Sequence, residues 1–185
     1  MIFVGLGNPG KEYSETRHNI GFRVIDKLKK NSKIIEIYKK KFFNGWKIEM
    51  EGKEVIIIKP KTYMNESGKA VKFALDFFGE KIENLFLIHD DLDIEIGKIK
   101  IIRDKGPGGH KGVISVIENI QNKNFVRIRI GIRGEKIETN YIEYVLSNFL
   151  PEEKEIVEKV IEKTVSAIKE ILKSNLEKAM SLYNN

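Results

Sequence analysis

The chain has 185 residues, of which 41% are hydrophobic and 32% are charged, and this predicts one soluble globular domain spanning residues 1–185. It contains no cysteine, which excludes disulfides, cysteine metal sites and a thiolate nucleophile. No apolar run has the length of a membrane span, and the first residues do not form a signal peptide, so we expect a cytoplasmic protein without membrane contacts. The net charge of +6 permits a polyanionic partner without requiring one.

Residues 1–22 contain the most informative stretch of the chain. Residues 1–6 are apolar and β-prone and lead into a glycine cluster, which predicts a buried strand followed by a tight turn. Because Asn8 precedes Pro9, its backbone should be extended, with the carboxamide at the C-terminal end of the strand. Ligands bind at this end of open α/β sheets. His18, one of three histidines, follows, and the apolar periodic run after it predicts the first helix.

The glycines of this stretch also match the dinucleotide fingerprint G-x-G-x-x-G, at Gly5, Gly7 and Gly10. The third glycine of that fingerprint should open a helix, but residues 11–17 are polar and lack an apolar stripe. The acidic ribose ligand, expected about 20 residues later, is absent from residues 27–30. Nucleotide binding is therefore disfavoured, and a strand and turn without chemistry is the competing interpretation of this stretch alone.

The remaining chain alternates strand and helix signals and predicts an α/β fold. Apolar or alternating runs predict strands at residues 34–38, 42–50, 54–59, 85–88, 98–103 and 125–132. Apolar stripes at helical spacing predict helices between Asn65 and Gly79, at residues 113–120, from Pro151 onward and at residues 176–183.

Polar residues follow two of these strands. Asn65 is placed to cap the helix that stops at Gly79, and a functional interpretation adds an amide presented at the sheet edge. The sequence HDDLD at residues 89–93 follows the strand at 85–88. Its histidine and carboxylates admit a metal site, but no compact partner set elsewhere supports one. A carboxylate here could instead accept a hydrogen bond from His18, which would fix the imidazole tautomer and raise its basicity.

Basic residues recur on two predicted strands in the second half of the chain. The alternation at residues 98–103 puts Lys100 on one face, and Arg127, Arg129 and Arg133 share a face or rim of the later strand. A row of lysine and arginine on neighbouring strands suits nucleic-acid phosphates. From spacing alone, a solvated sheet face explains the pattern equally well.

Five segments, in this order and at this spacing, resemble the bacterial-type peptidyl-tRNA hydrolase family. They are GLGNPGKEYSETRHNIG (5–21), KPKTYMNESG (59–68), HDDLD (89–93), GPGGHKG (106–112) and FVRIRIGI (125–132). Each is weak alone, but together they are highly specific and cover most of the chain. The resemblance implies a monomeric α/β enzyme with a twisted mixed β-sheet packed between helices. It also implies hydrolysis of the ester joining a peptide to the 3′-terminal ribose of tRNA, without metal or cofactor.

The resemblance assigns roles to individual residues of this chain. It places the catalytic histidine at His18, its carboxylate partner at Asp90, and the substrate-holding asparagines at Asn8 and Asn65. The remaining contacts that it implies are with the substrate at Tyr13, Met64, His110 and Lys111, and with tRNA phosphates at Arg103 and Arg129. The row of basic residues adds Lys100 to the expected phosphate contacts.

The chain departs from the family pattern in the glycine-rich loop. The family usually has asparagine where this chain has Lys111, and an ammonium can only donate hydrogen bonds. We therefore expect Lys111 to face the tRNA 3′ end and its phosphates, rather than to hold a water by accepting a bond from it. One phosphate-binding position of the family falls on Ile102, where the adjacent Arg103 is the basic residue.

The expected chemistry fits an ester, which is already activated and demands no metal. His18 would take a proton from the attacking water, and Asp90 would hold the imidazole and stabilise the imidazolium. Asn8 and Asn65 would bind the peptide and the developing oxyanion, and the sequence leaves open which of them faces the oxyanion.

Two alternatives remain for comparison. A serine nucleophile is disfavoured because Ser14 and Ser67, which lie near the motifs, are not in a G-x-S-x-G elbow. The alternative from a different functional class is a non-catalytic RNA-binding module, which would share the basic surface but would not need His18 or Asp90.

Overall fold

The computed structural model describes residues 1–134 and 140–184, which form a seven-stranded mixed sheet with six helices. The strands are β1 (Ile2–Gly5), β2 (Lys33–Lys39), β3 (Phe43–Met50), β4 (Lys53–Pro60), β5 (Leu85–Glu95), β6 (Ile99–Arg103) and β7 (Val126–Arg133). The helices are α1 (Ile20–Lys30), α2 (Ser67–Phe78), α3 (Lys111–Ile120), α4 (Tyr141–Leu146), α5 (Lys154–Lys173) and α6 (Leu176–Tyr183). The predicted α/β fold with a mixed sheet between helices is confirmed.

The short strand β1 lies at the centre of the sheet, whose order is β2-β3-β4-β1-β5-β7-β6. It pairs in parallel with β4 and β5, and β5 pairs in parallel with β7, whereas β2, β3 and β6 join by antiparallel pairing. All its residues are buried, as expected of an apolar strand covered on both faces. The chain leaves β1 and β4 at the same edge, which brings Asn8 and Asn65 together.

Helices cover both faces of the sheet. Phe3 of β1 points into a core built with α1, α5 and α6, whereas Ile2 and Val4 point into a second core built with α2 and α3. This alternation follows from the two-residue period of a strand. In the described part of the chain, no helix combines the length and apolarity that crossing a bilayer requires.

The glycines of the G-x-G-x-x-G match have structural explanations. A Cβ at Gly5 would lie 2.3 Å from the carbonyl oxygen of Gly21 in α1, and a Cβ at Gly7 would lie 2.8 Å from the ring of Phe22. Gly10 has a φ of 116°, which other residues rarely adopt. The close approach of α1 to the end of β1 therefore explains why Gly5 and Gly7 lack side chains. The same packing fixes the turn before α1, which carries His18.

Three details differ from the sequence predictions. Strand β5 continues through HDDLD because β7 keeps pairing with it there, so His89 and Asp90 lie inside a strand rather than after one. Asn65 does not cap α2, because it belongs to the short 3₁₀ turn Met64–Glu66 and makes no capping hydrogen bond. Helix α4 was not predicted, because it is too short to show a clear apolar period.

Replacing Gly21 by alanine should destabilise the fold by roughly 1–3 kcal/mol, as overpacking usually does. The added Cβ would lie 2.4 Å from the carbonyl oxygen of Ile88 and 2.6 Å from that of Leu6, and backbone cannot yield cheaply. Urea unfolding of Gly21→Ala and wild type measures the loss. Gly106→Ala is the control, since nothing lies within 4 Å of a Cβ there. Equal stability of Gly21→Ala and wild type would contradict this account of the α1 packing.

Candidate active site

A cavity of about 770 Å³ opens at the sheet edge where β1 and β4 end. The predicted site residues that line it are Asn8, His18, Met64, Asn65, Asp90, His110 and Lys111. Helix α4 supplies an apolar wall with Tyr141, Ile142, Val145 and Leu146, which the sequence did not predict. Tyr13 lies just outside, with its ring 6.4 Å from that of Tyr63, which does line the cavity. The structure thus assembles residues from five separate parts of the sequence.

Asp90 is the centre of the site, because two histidines bind the same buried carboxylate. Nδ1 of His18 lies 2.8 Å from Oδ1 and 2.9 Å from Oδ2 of Asp90. Nε2 of His110 lies 2.9 Å from Oδ1. The side chain of Asp90 is only 2% exposed, so these contacts replace the water that a carboxylate normally binds. The predicted hydrogen bond between His18 and a carboxylate of β5 is present.

The charge of Asp90 determines which ring nitrogen of each histidine carries the hydrogen that faces it. Burial alone would raise the pKa of its carboxyl, but electrostatic attraction to His18 and His110 and their hydrogen bonds outweigh burial and hold that pKa well below its usual range. An ionised carboxylate can only accept hydrogen bonds. Hydrogens therefore lie on Nδ1 of His18 and Nε2 of His110, and the neutral form of the His18 imidazole has its lone pair on Nε2.

His110 links this cluster to the start of α3. It is the N-cap residue of α3, and its Nδ1 accepts hydrogen bonds from the backbone amides of Gly112 and Val113 at 3.1 and 3.3 Å. Both ring nitrogens of His110 are thus occupied within the protein. The role predicted for His110 was substrate contact, and what the ring can still offer a substrate is its carbon edge. Its bond to Asp90 had no signal in the sequence beyond a histidine in a glycine-rich loop.

His89, the third histidine, supports the cluster from behind. It is completely buried, and Nδ1 donates a hydrogen bond of 2.7 Å to the backbone carbonyl of Asp90. Its ring packs on that of His110 with centroids 4.5 Å apart. Burial holds the pKa of His89 well below its usual range, so this imidazole is neutral. All three histidines therefore converge on Asp90.

Arg17 fixes the turn that carries His18. Its guanidinium forms a buried ion pair with Glu153, with Nη2 2.7 Å from Oε2, and lies over the rings of Tyr144 and Phe149 at 4.4 and 4.8 Å. Its backbone amide donates to the carbonyl of Ser147 at 2.9 Å. Since Tyr144 belongs to α4, the apolar wall of the cavity and the imidazole are held by the same arginine.

The amide of Asn8 has a defined orientation. Its Oδ1 accepts a hydrogen bond of 2.8 Å from the backbone amide of Met64, which leaves Nδ2 free to donate into the cavity. Asn19 holds the backbone of Asn8 on both sides, accepting from its amide at 2.8 Å and donating to its carbonyl at 2.9 Å. By contrast, Asn65 is exposed at the cavity rim. Asn19 was not predicted, although it directly follows His18.

The predicted phosphate contacts lie on β6 and β7, outside the cavity lining. Lys100 and Arg103 are exposed on β6, and Lys100 pairs across the sheet with Arg129. The Arg129 side chain is 18% exposed, and it forms ion pairs with Asp91 and Asp93. Its availability to a phosphate is therefore lower than that of Lys100.

The position of Arg127 differs from the sequence interpretation, which put it on an exposed basic face of β7 with Arg129 and Arg133. The residue is only 3% exposed. Its guanidinium donates to the carbonyls of Gly106 and Pro107, at 2.6 and 3.4 Å. The alternation of β7 identified the face correctly, but the glycine-rich loop covers that face at Arg127.

His18, Asp90 and His110 also bring three potential metal-ligand atoms within 4.8 Å of one another. To bind a metal through Nε2, His110 would have to carry its hydrogen on Nδ1. That hydrogen would point at the amide hydrogens of Gly112 and Val113, which now donate to Nδ1. The donor set therefore suits a hydrogen-bonded cluster better than a metal site.

The chain is similar to known proteins over nearly its whole length. A family profile described as Peptidyl-tRNA hydrolase matches residues 2–185. Peptidyl-tRNA hydrolase of Thermodesulfovibrio yellowstonii is 43% identical over 100% of this chain and 98% of the relative. The Aquifex aeolicus protein of that name is 42% identical over 99% of this chain and 95% of its own. The crystal structure of peptidyl-tRNA hydrolase from Acinetobacter baumannii has a TM-score of 0.91 at 31% identity and covers 99% of this chain and 93% of that chain.

The depressed pKa of Asp90 predicts a pH-dependent contribution to stability. Because the folded-state pKa lies below the ordinary value of 3.8, the contribution is fully present above 3.8 and is lost as pH falls toward the folded value. The difference in unfolding free energy between wild type and Asp90→Asn should therefore shrink as pH falls below 3.8. Urea unfolding across a pH series measures it, with Asp76→Asn, at an exposed site, as the control. A difference that stays constant into the acid range would contradict the assigned charge.

Proposed function

The chain belongs to the peptidyl-tRNA hydrolase family, and from this membership we propose how its residues hydrolyse the ester that joins a peptide to tRNA. The observation that carries the proposal is the buried pairing of His18 with Asp90 at 2.8 Å. It fixes the imidazole so that Nε2 offers its lone pair to the cavity. His18 is the general base in this proposal, and Asp90 orients it.

The reaction needs one water and one base. Nε2 of His18 takes a proton from the water as its oxygen attacks the ester carbonyl, and Asp90 stabilises the imidazolium that forms. The tetrahedral intermediate then expels the ribose oxygen, which receives the proton back from the imidazolium. The products are free tRNA and the peptide carboxylic acid, which releases its proton to solvent to become a carboxylate, and His18 returns to its neutral form.

Asn8 is the better placed of the two asparagines to stabilise the oxyanion. Its Oδ1 is occupied by the amide of Met64, so Nδ2 points its hydrogens into the cavity and needs no reorientation during the reaction. Asn65, exposed at the rim, can hold the peptide backbone by donating and accepting hydrogen bonds. The proposal therefore gives the oxyanion to Asn8 and the peptide backbone to Asn65, a choice that the sequence left open.

The rest of the cavity suits a peptide next to a nucleotide. Tyr141 and Ile142 of α4 are 63% and 56% exposed, and such an apolar wall accepts side chains of many shapes. Lys111 is exposed and also lines the cavity, where its ammonium can meet the tRNA 3′ end. Met64 forms part of the buried floor, and Tyr13 lies at the entrance beside Tyr63.

The exposed cations of β6 are proposed to bind tRNA phosphates farther from the ester. Lys100 and Arg103 contribute most, because Arg129 is already paired with Asp91 and Asp93. We further propose that the enzyme works as a cytoplasmic monomer without cofactor, since one chain supplies every group that the mechanism uses. The alternative, a non-catalytic RNA-binding module, gives no reason for a buried carboxylate shared by two histidines.

His18→Ala should reduce kcat by roughly 10²–10⁴-fold, the usual contribution of a general base, and leave the fold intact. Asp90→Asn should also lower kcat, because an amide can donate to Nδ1 and favour the tautomer that protonates Nε2. Release of free tRNA from an N-acetyl-aminoacyl-tRNA measures both rates, and circular dichroism checks the fold.

Ser14→Ala is the matched control and tests the serine alternative, since Ser14 is exposed and its hydroxyl donates to the backbone carbonyl of Lys11. Its kcat should equal that of wild type. An unchanged rate in folded His18→Ala would exclude His18 as the base. Loss of activity in Ser14→Ala would instead support a serine nucleophile.

Lys100→Gln should raise KM for full-length substrate and reduce the salt dependence of binding by about one unit of slope, the value expected for one lost phosphate contact. Its kcat on a short 3′-end fragment should not change. Kinetics across a salt series measure both effects. Lys69→Gln is the control, because that lysine, on α2, is already paired with Glu66. An equal loss on the fragment would show that Lys100 acts on the site rather than on a distant phosphate.

A further inference from the structure

We infer that Arg127 is a positioning residue, which holds the glycine-rich loop so that His110 stays on Asp90. The inference rests on the proposed function, because it assumes that the His18–Asp90–His110 cluster carries out the reaction. The mechanism above does not use Arg127, and the sequence suggested phosphate binding for it. Its position in the fold indicates a different role.

The surroundings of Arg127 suit a structural clamp. The residue is 3% exposed, so a phosphate in solution cannot reach its guanidinium. Its two terminal nitrogens donate to two consecutive carbonyls, those of Gly106 at 2.6 Å and Pro107 at 3.4 Å. A planar guanidinium can bridge two acceptors in a fixed geometry, which an ammonium cannot do.

The clamp leads to the reacting groups through a short series of hydrogen bonds. The carbonyl of Pro107 that accepts from Arg127 also accepts from the backbone amide of His110, at 3.3 Å. The ring of His110 then donates to Asp90 at 2.9 Å, and Asp90 accepts from His18 at 2.8 Å. Arg127 itself lies on β7, which pairs directly with the strand that carries Asp90. The loop is therefore fixed at both ends to the same rigid pair of strands.

The loop needs such a clamp because its own sequence gives it little rigidity. Gly108 and Gly109 both have positive φ, at 62° and 75°, and no heavy atom lies within 4 Å of a Cβ built at either. Glycine in open space loses the most conformational freedom when it is ordered. The buried side of the loop is held by Arg127 and by the ring of His110, so loss of the arginine should free the histidine as well.

The charge of Arg127 is compatible with this role. Burial, together with the nearby charge of Arg129, lowers the pKa of Arg127, while Asp91 opposes that effect. The ordinary pKa of arginine is so far above neutrality that the guanidinium remains charged, and its hydrogen bonds to the carbonyls stay charge-assisted. The buried cation is thus kept by backbone dipoles rather than by a direct carboxylate partner.

Limited trypsin digestion of Arg127→Gln, with mapping of the cut sites, tests the clamp without reference to catalysis. Lys105 is exposed and directly precedes Gly106, so cleavage after it reports on the loop. We expect cleavage there to accelerate about tenfold, because proteolysis follows the population of the open form. Cleavage after Lys30 and Lys173, in α1 and α5, should keep its wild-type rate. Unchanged cleavage at Lys105, or equal acceleration at all three sites, would overturn the proposal.

Kinetics of the same variant separate positioning from phosphate binding. A displaced His110 should lower kcat by about tenfold or more, whereas KM and its salt slope should stay near wild type. A fall in the salt slope by about one unit would instead assign Arg127 to a phosphate and overturn the inference. Arg23→Gln is the matched control, since that arginine pairs with Glu158 away from the loop. His18→Ala tests the proposed function separately. It should lose activity while its cleavage at Lys105 stays at the wild-type rate, and an active His18→Ala would contradict the proposed function without affecting the evidence for the clamp.

Two further measurements keep the test valid if Arg127→Gln does not fold. Arg127→Lys retains the charge and can reach one carbonyl, so both the cleavage rate and kcat should fall between wild type and Arg127→Gln. In the unmodified protein, the guanidinium hydrogens of Arg127 should give separate, slowly exchanging NMR signals. Rapid exchange of those hydrogens with water would contradict a guanidinium bound to two buried carbonyls.

Discussion

The carboxylate of Asp90 is the interaction on which the site depends. A buried charge is costly unless hydrogen bonds replace its hydration, and here the rings of His18 and His110 supply them. The same carboxylate that needs these two donors also determines where their hydrogens lie. The same hydrogen bonds therefore stabilise the buried charge of Asp90 and orient His18 as a general base.

The sequence HDDLD shows how a strand can separate neighbouring acids. Alternation along β5 turns Asp90 into the protein, and Asp91 pairs with Arg129 on the next strand. Asp93 has 81% of its side chain exposed and is only 3.9 Å from the same arginine. Three acids that look like one cluster in the sequence thus have three environments, and only Asp90 meets the histidines. The composition of the segment therefore suggests a metal site, but the strand directs its acids to different places and leaves no shared set of ligands within the segment.

Local patterns predicted most of the architecture and the central pair of the site. The apolar runs predicted every strand to within a few residues, apart from the continuation of β5, and parallel pairing of β1 with β5 brings His18 to Asp90 as expected. The predictions failed where the fold determines the surroundings of a side chain and no local pattern in the sequence shows them. Arg127 meets carbonyls about twenty residues earlier in the chain, and Asn65 lies in a 3₁₀ turn instead of capping α2. Alternation identifies a face of a strand, but it cannot show which loop covers that face.

The central position of β1 has a consequence for when the protein acquires activity. Ile2 lies opposite Ile56 on one side and Leu85 on the other, so the first strand has no neighbour in the sheet until much later segments exist. Contacts of such long sequence separation form late, because loop-closure entropy must be overcome first. During synthesis, which proceeds from the N-terminus, the residues that contain His18 emerge early but cannot be ordered until β5 and β7 follow. An enzyme that frees tRNA from peptides is therefore itself a peptide on a tRNA, and it stays inactive until most of its own chain has been synthesised.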